Sequence, residues 1–162
     1  MNQYNTEESI QAHLAKILLK ERKHWMAIGN VNGFYVWECD LLSLTKSLYL
    51  SEYEIKITFA DFKADINKDK HEYFEKQREY PNSIYYIPNY LWYVVVWRVL
   101  SGFYMSDLDN ILPEYAGLML IYSDGSLETV KKAPLIHKRK IAAFEYPRLL
   151  NRACKRLWGL KR

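Results

Sequence analysis

Two charged residues of opposite sign stand two apart in the segment LYLSEYEIKI, residues 48–57: Glu54 and Lys56, with Ile55 between them. If this segment is a strand, its period of two points Glu54 and Lys56 to one face and Ile55 to the other. Asp40 precedes Glu54 by 14 residues, so a hairpin that returns the chain brings its carboxylate beside Glu54. Two carboxylates and an ammonium then converge. Such a cluster suits Mg²⁺ or Mn²⁺, because hard cations prefer oxygen ligands, and Mg²⁺ keeps several of its waters. A lysine at the same spot can position or activate a water against a phosphodiester. The chemistry expected of the cluster is hydrolysis of a nucleic-acid backbone. Alternating charges on the solvent face of a strand produce the same triplet without any chemistry. Glu52 shares that strand face about 7 Å from Glu54, as an assisting ligand or a solvated acid.

The elements that must position these residues follow from periodicity. Ile10, Leu14, Ile17 and Leu18 have helical spacing within residues 6–21, with Asn5 or Thr6 as cap and two acids in the first turn. Gly29, Asn30, Asn32 and Gly33 read as a turn. Strands are expected over 34–44 and 48–57, joined at Thr45, Lys46 and Ser47 into a hairpin. A helix is expected from about Asp61 to His71 or beyond, and a loop at Tyr80–Ser83 and Pro88–Asn89. The run LWYVVV then reads as a strand buried on both faces in the centre of a sheet, with Trp92, Tyr93 and Trp97 in the core. A short helix over 107–112, strands over 116–122 and 127–131 around Asp124 and Gly125, and a final helix from about Pro147 complete the chain. The last helix has Leu149, Leu150, Ala153, Cys154, Leu157 and Trp158 on its apolar side and Gly159 as its stop. The fold class is α/β, a sandwich around one mixed sheet, and residues 1–162 form a single domain.

Composition narrows the partners. Of 162 residues, 49% are hydrophobic and 26% charged, enough for one packed core. The longest apolar run, 91–97, is far shorter than the roughly 20 residues that cross a bilayer, so no membrane partner is expected. MNQYNTEES has neither a basic leader nor an apolar run, and a cytoplasmic setting is the simplest expectation. Cys39 and Cys154 make no disulfide framework or zinc spacing and are expected to be buried thiols. The net charge of +4 conceals an asymmetry: residues 131–162 carry eleven Lys or Arg and one acid, Glu145, while the remainder carries 12 basic and 18 acidic residues. A cationic tail on an anionic body suits a polyanion such as DNA, or RNA. Lys131, Lys132, Lys138, Arg139 and Lys140 are the candidate phosphate contacts, with a solvated connection as the alternative. His24 and His137 have no Ser or Cys partner in a catalytic pattern and are not assigned to catalysis.

The spacing Asp-x13-Glu-x-Lys at Asp40, Glu54 and Lys56, on a hairpin after an N-terminal helix, resembles the PD-(D/E)XK nuclease superfamily, also called restriction-endonuclease-like. The ordered series EIKITFADFKAD, NYLWYVV, LPEYAGLMLIY and VKKAPLIHKRK is similar to its MmcB-type, DNA-repair-related branch and phage relatives, over about residues 7–158. The resemblance implies an αβββαβ core with a central mixed sheet flanked by helices. It implies that Asp40, Glu54 and the Ile55 carbonyl bind Mg²⁺ or Mn²⁺, and that Lys56 acts on the attacking water. Many members add a glutamate from the first helix. Glu7, in phase with Ile10 and Leu14, is the better candidate here and Glu8 points away, although acids in a first turn also favour the helix dipole. Asp61 and Asp65 match a family motif whose first acid most simply caps the following helix, with metal contact as the alternative. Cys39 stands where the family motif has proline.

The expected function is therefore a metal-dependent deoxyribonuclease in repair, recombination or phage replication. The alternative is a non-catalytic nucleic-acid-binding or assembly subunit that retains the fold. A domain this small covers little duplex, so cutting both strands calls for a homodimer or a protein partner.

Overall fold

The computed structural model describes residues 4, 6–82, 86–102 and 105–157. Helix α1 (Glu7–Lys20) starts on a capping box: Thr6 Oγ1 accepts from the Ser9 amide at 3.2 Å, supplying a bond that the first turn lacks internally. Then follow β1 (Met26–Val31), β2 (Cys39–Leu44) and β3 (Leu50–Lys56), and the helices α2 (Phe59–Ile66) and α3 (Lys70–Glu79). Beyond them lie β4 (Tyr90–Val96), α4 (Trp97–Leu100), α5 (Met105–Ile111), β5 (Ala116–Ile121), β6 (Leu127–Lys131) and α6 (Tyr146–Leu157).

The six strands form one mixed sheet in chain order. β1, β2 and β3 are antiparallel neighbours, β3, β4 and β5 run parallel, and β6 returns antiparallel on β5. The parallel step from β3 to β4 needs a crossover, which α2 and α3 supply. α1 buries Ile10, Leu14 and Leu18 against Leu41, Tyr53, Ile55, Val94 and Met119. Phe62, Phe74 and Leu108, from α2, α3 and α5, pack with Leu91, Tyr93, Val95 and Leu118, whose alternation with the first set puts them on the opposite face. A third cluster joins Ile28, Phe34, Leu42 and Leu50 to Leu149 of α6. The protein is thus a mixed α/β sheet flanked by helices. No helix among the described residues is long and apolar enough to cross a membrane.

Several expectations need correction. β1 occupies residues read as a turn; Asn30, in it, has φ 49°, so a left-handed residue and a glycine sit inside an edge strand. The strand expected over 34–44 is only β2, preceded by an irregular segment at 32–38. The helix expected from Asp61 is two helices, and α2 is capped by Thr58, whose Oγ1 accepts from the Asp61 amide at 3.1 Å, not by Asp61. Trp97 is exposed and stacks on Tyr122 at 5.9 Å between centroids. Cys39 is buried, but Cys154 and Leu150 on α6 are exposed, because α6 meets the sheet along a narrower stripe centred on Leu149. The expected roles of Trp158 and Gly159 lie outside the described residues.

Candidate active site

β3 is buried along its whole length although it carries Glu52, Glu54 and Lys56. Charged side chains in a central strand need partners, since an unpaired buried charge is very costly. Asp40 is the first partner. The β2–β3 ladder ends at Leu41 and Tyr53, and one residue further the Asp40 carboxylate takes over: its Oδ2 accepts from the Ile55 amide at 2.8 Å. The same oxygen is 3.6 Å from Lys56 Nζ. Lys56 Nζ donates to Glu54 Oε2 at 2.8 Å. Asp40, Glu54 and Lys56 therefore converge as their spacing led us to expect. Gln11 of α1 holds the backbone of this corner, donating to the Asp40 carbonyl and, at 2.7 Å, to Asn30 Oδ1. Gly29 leaves the room for it, since a Cβ there would lie 2.5 Å from the Gln11 carboxamide.

The crossover helices close the other side with residues that the sequence reading did not assign to the site. Asp65 at the end of α2 is fully buried; its carboxylate lies 3.1 Å from Lys56 Nζ and 3.2 Å from Lys70 Nζ, pairs with Lys68, and accepts from Tyr93 Oη at 2.9 Å. Lys70, at the start of α3, sits 2.7 Å from Glu54 Oε1 and 3.5 Å from Glu52 Oε1. Glu52 also accepts from Trp37 Nε1 at 3.0 and 3.1 Å. His71 is pinned between the Asp65 carbonyl and Tyr115 Oη, each at 2.9 Å. Four carboxylates thus face three ammoniums. A local signal existed: Asp65 is in phase with Phe62, and Lys70 with Phe74 and Gln77, which are their helices' buried faces.

The charges tune one another. Burial works against the Lys56 ammonium, but Glu54, Asp65 and Asp40 outweigh it and hold the lysine above its ordinary pKa. Lys70 is likewise raised, burial being overcome by Glu52, Glu54 and Asp65. Both remain cations at neutral pH. Burial would raise Glu54, yet Lys70 and Lys56 bring it below its usual value. Asp65 is driven well down, its burial offset by His71, Lys70, Lys56 and Lys68. Asp40 is pushed up to about 7, by burial first and then by Glu54, against Lys56. Glu52 rises to about 8 through burial, with Lys70 opposing and Glu54 adding. Glu7 is raised by partial burial, and it also feels Lys56, Asp61, Glu54 and Glu38; it stands at the rim of the same cluster, while Glu8 is exposed.

A hard divalent cation needs several oxygen donors around one point. Among the described residues no three His, Cys, Asp or Glu side chains are assembled as a metal-binding group. Asp40 and Glu54 do offer two carboxylates that meet at one point, while the other oxygen of Glu54, Oε1, faces Lys70 at 2.7 Å. Two carboxylates and several waters are an ordinary Mg²⁺ environment, so the residues fit. Beside the cluster opens a cavity of about 560 Å³, lined in part by Trp37, Tyr73, Lys68 and Lys70.

The basic residues lie elsewhere. Segment 132–141 crosses the start of the parallel strands, with the Ile136 amide on the Asn89 carbonyl at 2.9 Å and the Ile141 amide on the Leu48 carbonyl at 3.0 Å. Lys138 and Lys140 are exposed there, at the opposite end of β3 from Lys56. Arg139 is engaged by the buried Glu145 and by the Tyr86 ring, 5.1 Å away. Lys131 reaches the Pro113 carbonyl at 3.4 Å, and Lys132 is exposed. His24 contacts Ser43 Oγ at 2.8 Å and His137 the Ile87 carbonyl at 3.0 Å; both are structural.

No family model matches the chain, and no curated protein is significantly similar to it. Among solved structures, a protein of unknown function from Silicibacter pomeroyi is similar, with a TM-score of 0.58 and 17% sequence identity over 92% of this chain and 84% of that one. The two share a fold.

Proposed function

We propose that this chain is a Mg²⁺- or Mn²⁺-dependent nuclease of the PD-(D/E)XK type that hydrolyses phosphodiester bonds in DNA. The observation that carries the reading is the convergence of Asp40 and Glu54 on Lys56, at 3.6 and 2.8 Å, from two strands separated by a turn. The order α1, β1, β2, β3, crossover helices, β4 supports it further, since it is the αβββαβ series of that superfamily. Asp40, Glu54 and the Ile55 carbonyl would hold the ion, with Glu7 at the rim. When bound, the ion supplies Lewis-acid polarisation of the phosphodiester and of the attacking water. Lys56, held protonated by its carboxylate neighbours, is suited to stabilise charge developing on the phosphoryl oxygens rather than to abstract a proton.

A second reading, a nucleic-acid-binding or assembly subunit without turnover, is favoured by one observation: the lysines already neutralise most of the acids. Incubating DNA of duplex, branched and single-stranded form with the protein in MgCl₂ or MnCl₂ separates the two. The nuclease reading expects metal-dependent cleavage that disappears in Glu54→Gln and Asp40→Asn while DNA affinity persists. Cleavage retained in both variants, or binding without cleavage in either metal, overturns it; cleavage of RNA alone would reassign the substrate.

A further inference from the structure

Lys70 belongs to no part of the Asp40, Glu54, Lys56 set, yet it is among the most enclosed charged groups in the protein, with 3% of its side chain exposed. Its ammonium is surrounded by three carboxylates from three positions: Glu54 Oε1 at 2.7 Å, Asp65 Oδ2 at 3.2 Å and Glu52 Oε1 at 3.5 Å. Two carboxylates of β3 and one of α2 thus surround a cation with oxygens, the kind of donor a divalent ion also prefers. Glu54 and Asp65 both bridge the two halves of the cluster, each with one oxygen toward Lys70 and the other toward Lys56. The halves differ in access. Asp40, which pairs with Lys56, keeps 21% of its side chain exposed, whereas Glu52, which pairs with Lys70, has none. The deep half is also braced: Trp37 donates to Glu52, Tyr93 to Asp65, and His71, next to Lys70 in α3, holds the Asp65 carbonyl.

We infer that the Lys70 ammonium is a resident cation filling the deep half of the carboxylate cluster, so that the site accepts one divalent ion, on the Asp40 side, and not two. This rests on the metal-dependent reading above. An ion entering the deep half must displace a buried ammonium and leave it unpaired, which is strongly unfavourable. Removing that ammonium while keeping the volume leaves Glu52, Glu54 Oε1 and Asp65 Oδ2 without their cation, while Lys56 still holds the other oxygens of Glu54 and Asp65. Lys70 is then a positioning residue: it fixes the Glu54 carboxylate and sets how many ions the cluster takes.

The experiment counts Mn²⁺ by electron paramagnetic resonance titration of the full chain without DNA, in wild type, Lys70→Met and Lys70→Arg. Wild type and Lys70→Arg are expected to bind one ion per chain, and Lys70→Met two. Two ions in wild type, or a single ion in Lys70→Met, overturns the inference and leaves the metal-dependent reading standing. No ion in wild type overturns both. If Lys70→Met does not fold in metal-free buffer, its thermal melt with added MnCl₂ reads the same point. The inference expects Mn²⁺ to restore the cooperative transition in this variant and to raise its Tm more than that of wild type; equal gains, or none, overturn it.

Discussion

Asp65→Asn tests most directly whether the buried charges act as one unit. The substitution keeps the side chain's size and a hydrogen-bonding group, but it removes the one carboxylate among the described residues that touches Lys56, Lys68 and Lys70 together. Lys56 and Lys70 then stay buried with less compensation. Breaking a buried pair by removing one partner costs about 3–5 kcal/mol, a large share of the roughly 5–15 kcal/mol that stabilises a domain. At about 2–4 °C per kcal/mol for a chain of this size, the Tm should fall by about 6–20 °C. Differential scanning calorimetry at pH 7 measures it, with Glu72→Gln, from the exposed pair with Lys76 at 3.1 Å, as a control that leaves the Tm unmoved. Acid adds a second signature. Asp65 has a folded-state pKa well below its ordinary 3.8, so its stabilisation is present above that value and is lost as pH falls below it. The gap between wild type and Asp65→Asn should therefore narrow from about pH 4 downward. A Tm difference below about 2 °C at pH 7 would refute the reasoning, for it would mean that Asp65 is not what balances the lysines.

Three other outcomes follow from the geometry. Asp40, pushed up to about 7, is mostly protonated at pH 6 and mostly ionised at pH 8, so Mn²⁺ affinity measured by calorimetric titration should rise about tenfold between them; in the metal-free protein the same raised pKa means that its stabilising contribution is full below 3.8 and lost as pH rises through about 7. Gly29→Ala should destabilise by about 1 kcal/mol in urea denaturation, because its Cβ would move the end of Gln11 off the Asp40 carbonyl and cost that hydrogen bond. Replacing Lys138 and Lys140 by Ala should lower the slope of log K against log salt for DNA by about 2 without changing where cleavage occurs, since those lysines stand at the far end of β3; an unchanged slope would remove them from the DNA path.

What was legible in the sequence was whatever a local period encodes. Alternation placed Glu54 and Lys56 on one face and Ile55 on the other, and the apolar run at 91–96 marked a central strand. β1 was not legible, because Gly29 and Asn30 carry turn chemistry and only the close approach of Gln11 explains the glycine. Lys70 and His71 lie in DINKDKHEY, which reads as solvent-facing by composition. Their burial comes from the crossover, which carries α3 back over the sheet onto the acids of β3; the phase of Lys70 with Phe74 and Gln77 marks a buried helix face but not the acids that lie opposite it. Cys154 failed in the opposite sense: it follows the apolar stripe of α6, but the sheet meets only part of that stripe.

The bond from the Ile55 amide to Asp40 Oδ2 has a consequence for how this carboxylate can act. With Oδ2 engaged by the backbone and by Lys56, the side chain has one free oxygen to offer and a fixed rotamer in which to offer it, so an ion bound here would meet Asp40 through a single oxygen. Its conformational search is completed when the polypeptide collapses, and the entropy of ordering it is not charged to ligand capture.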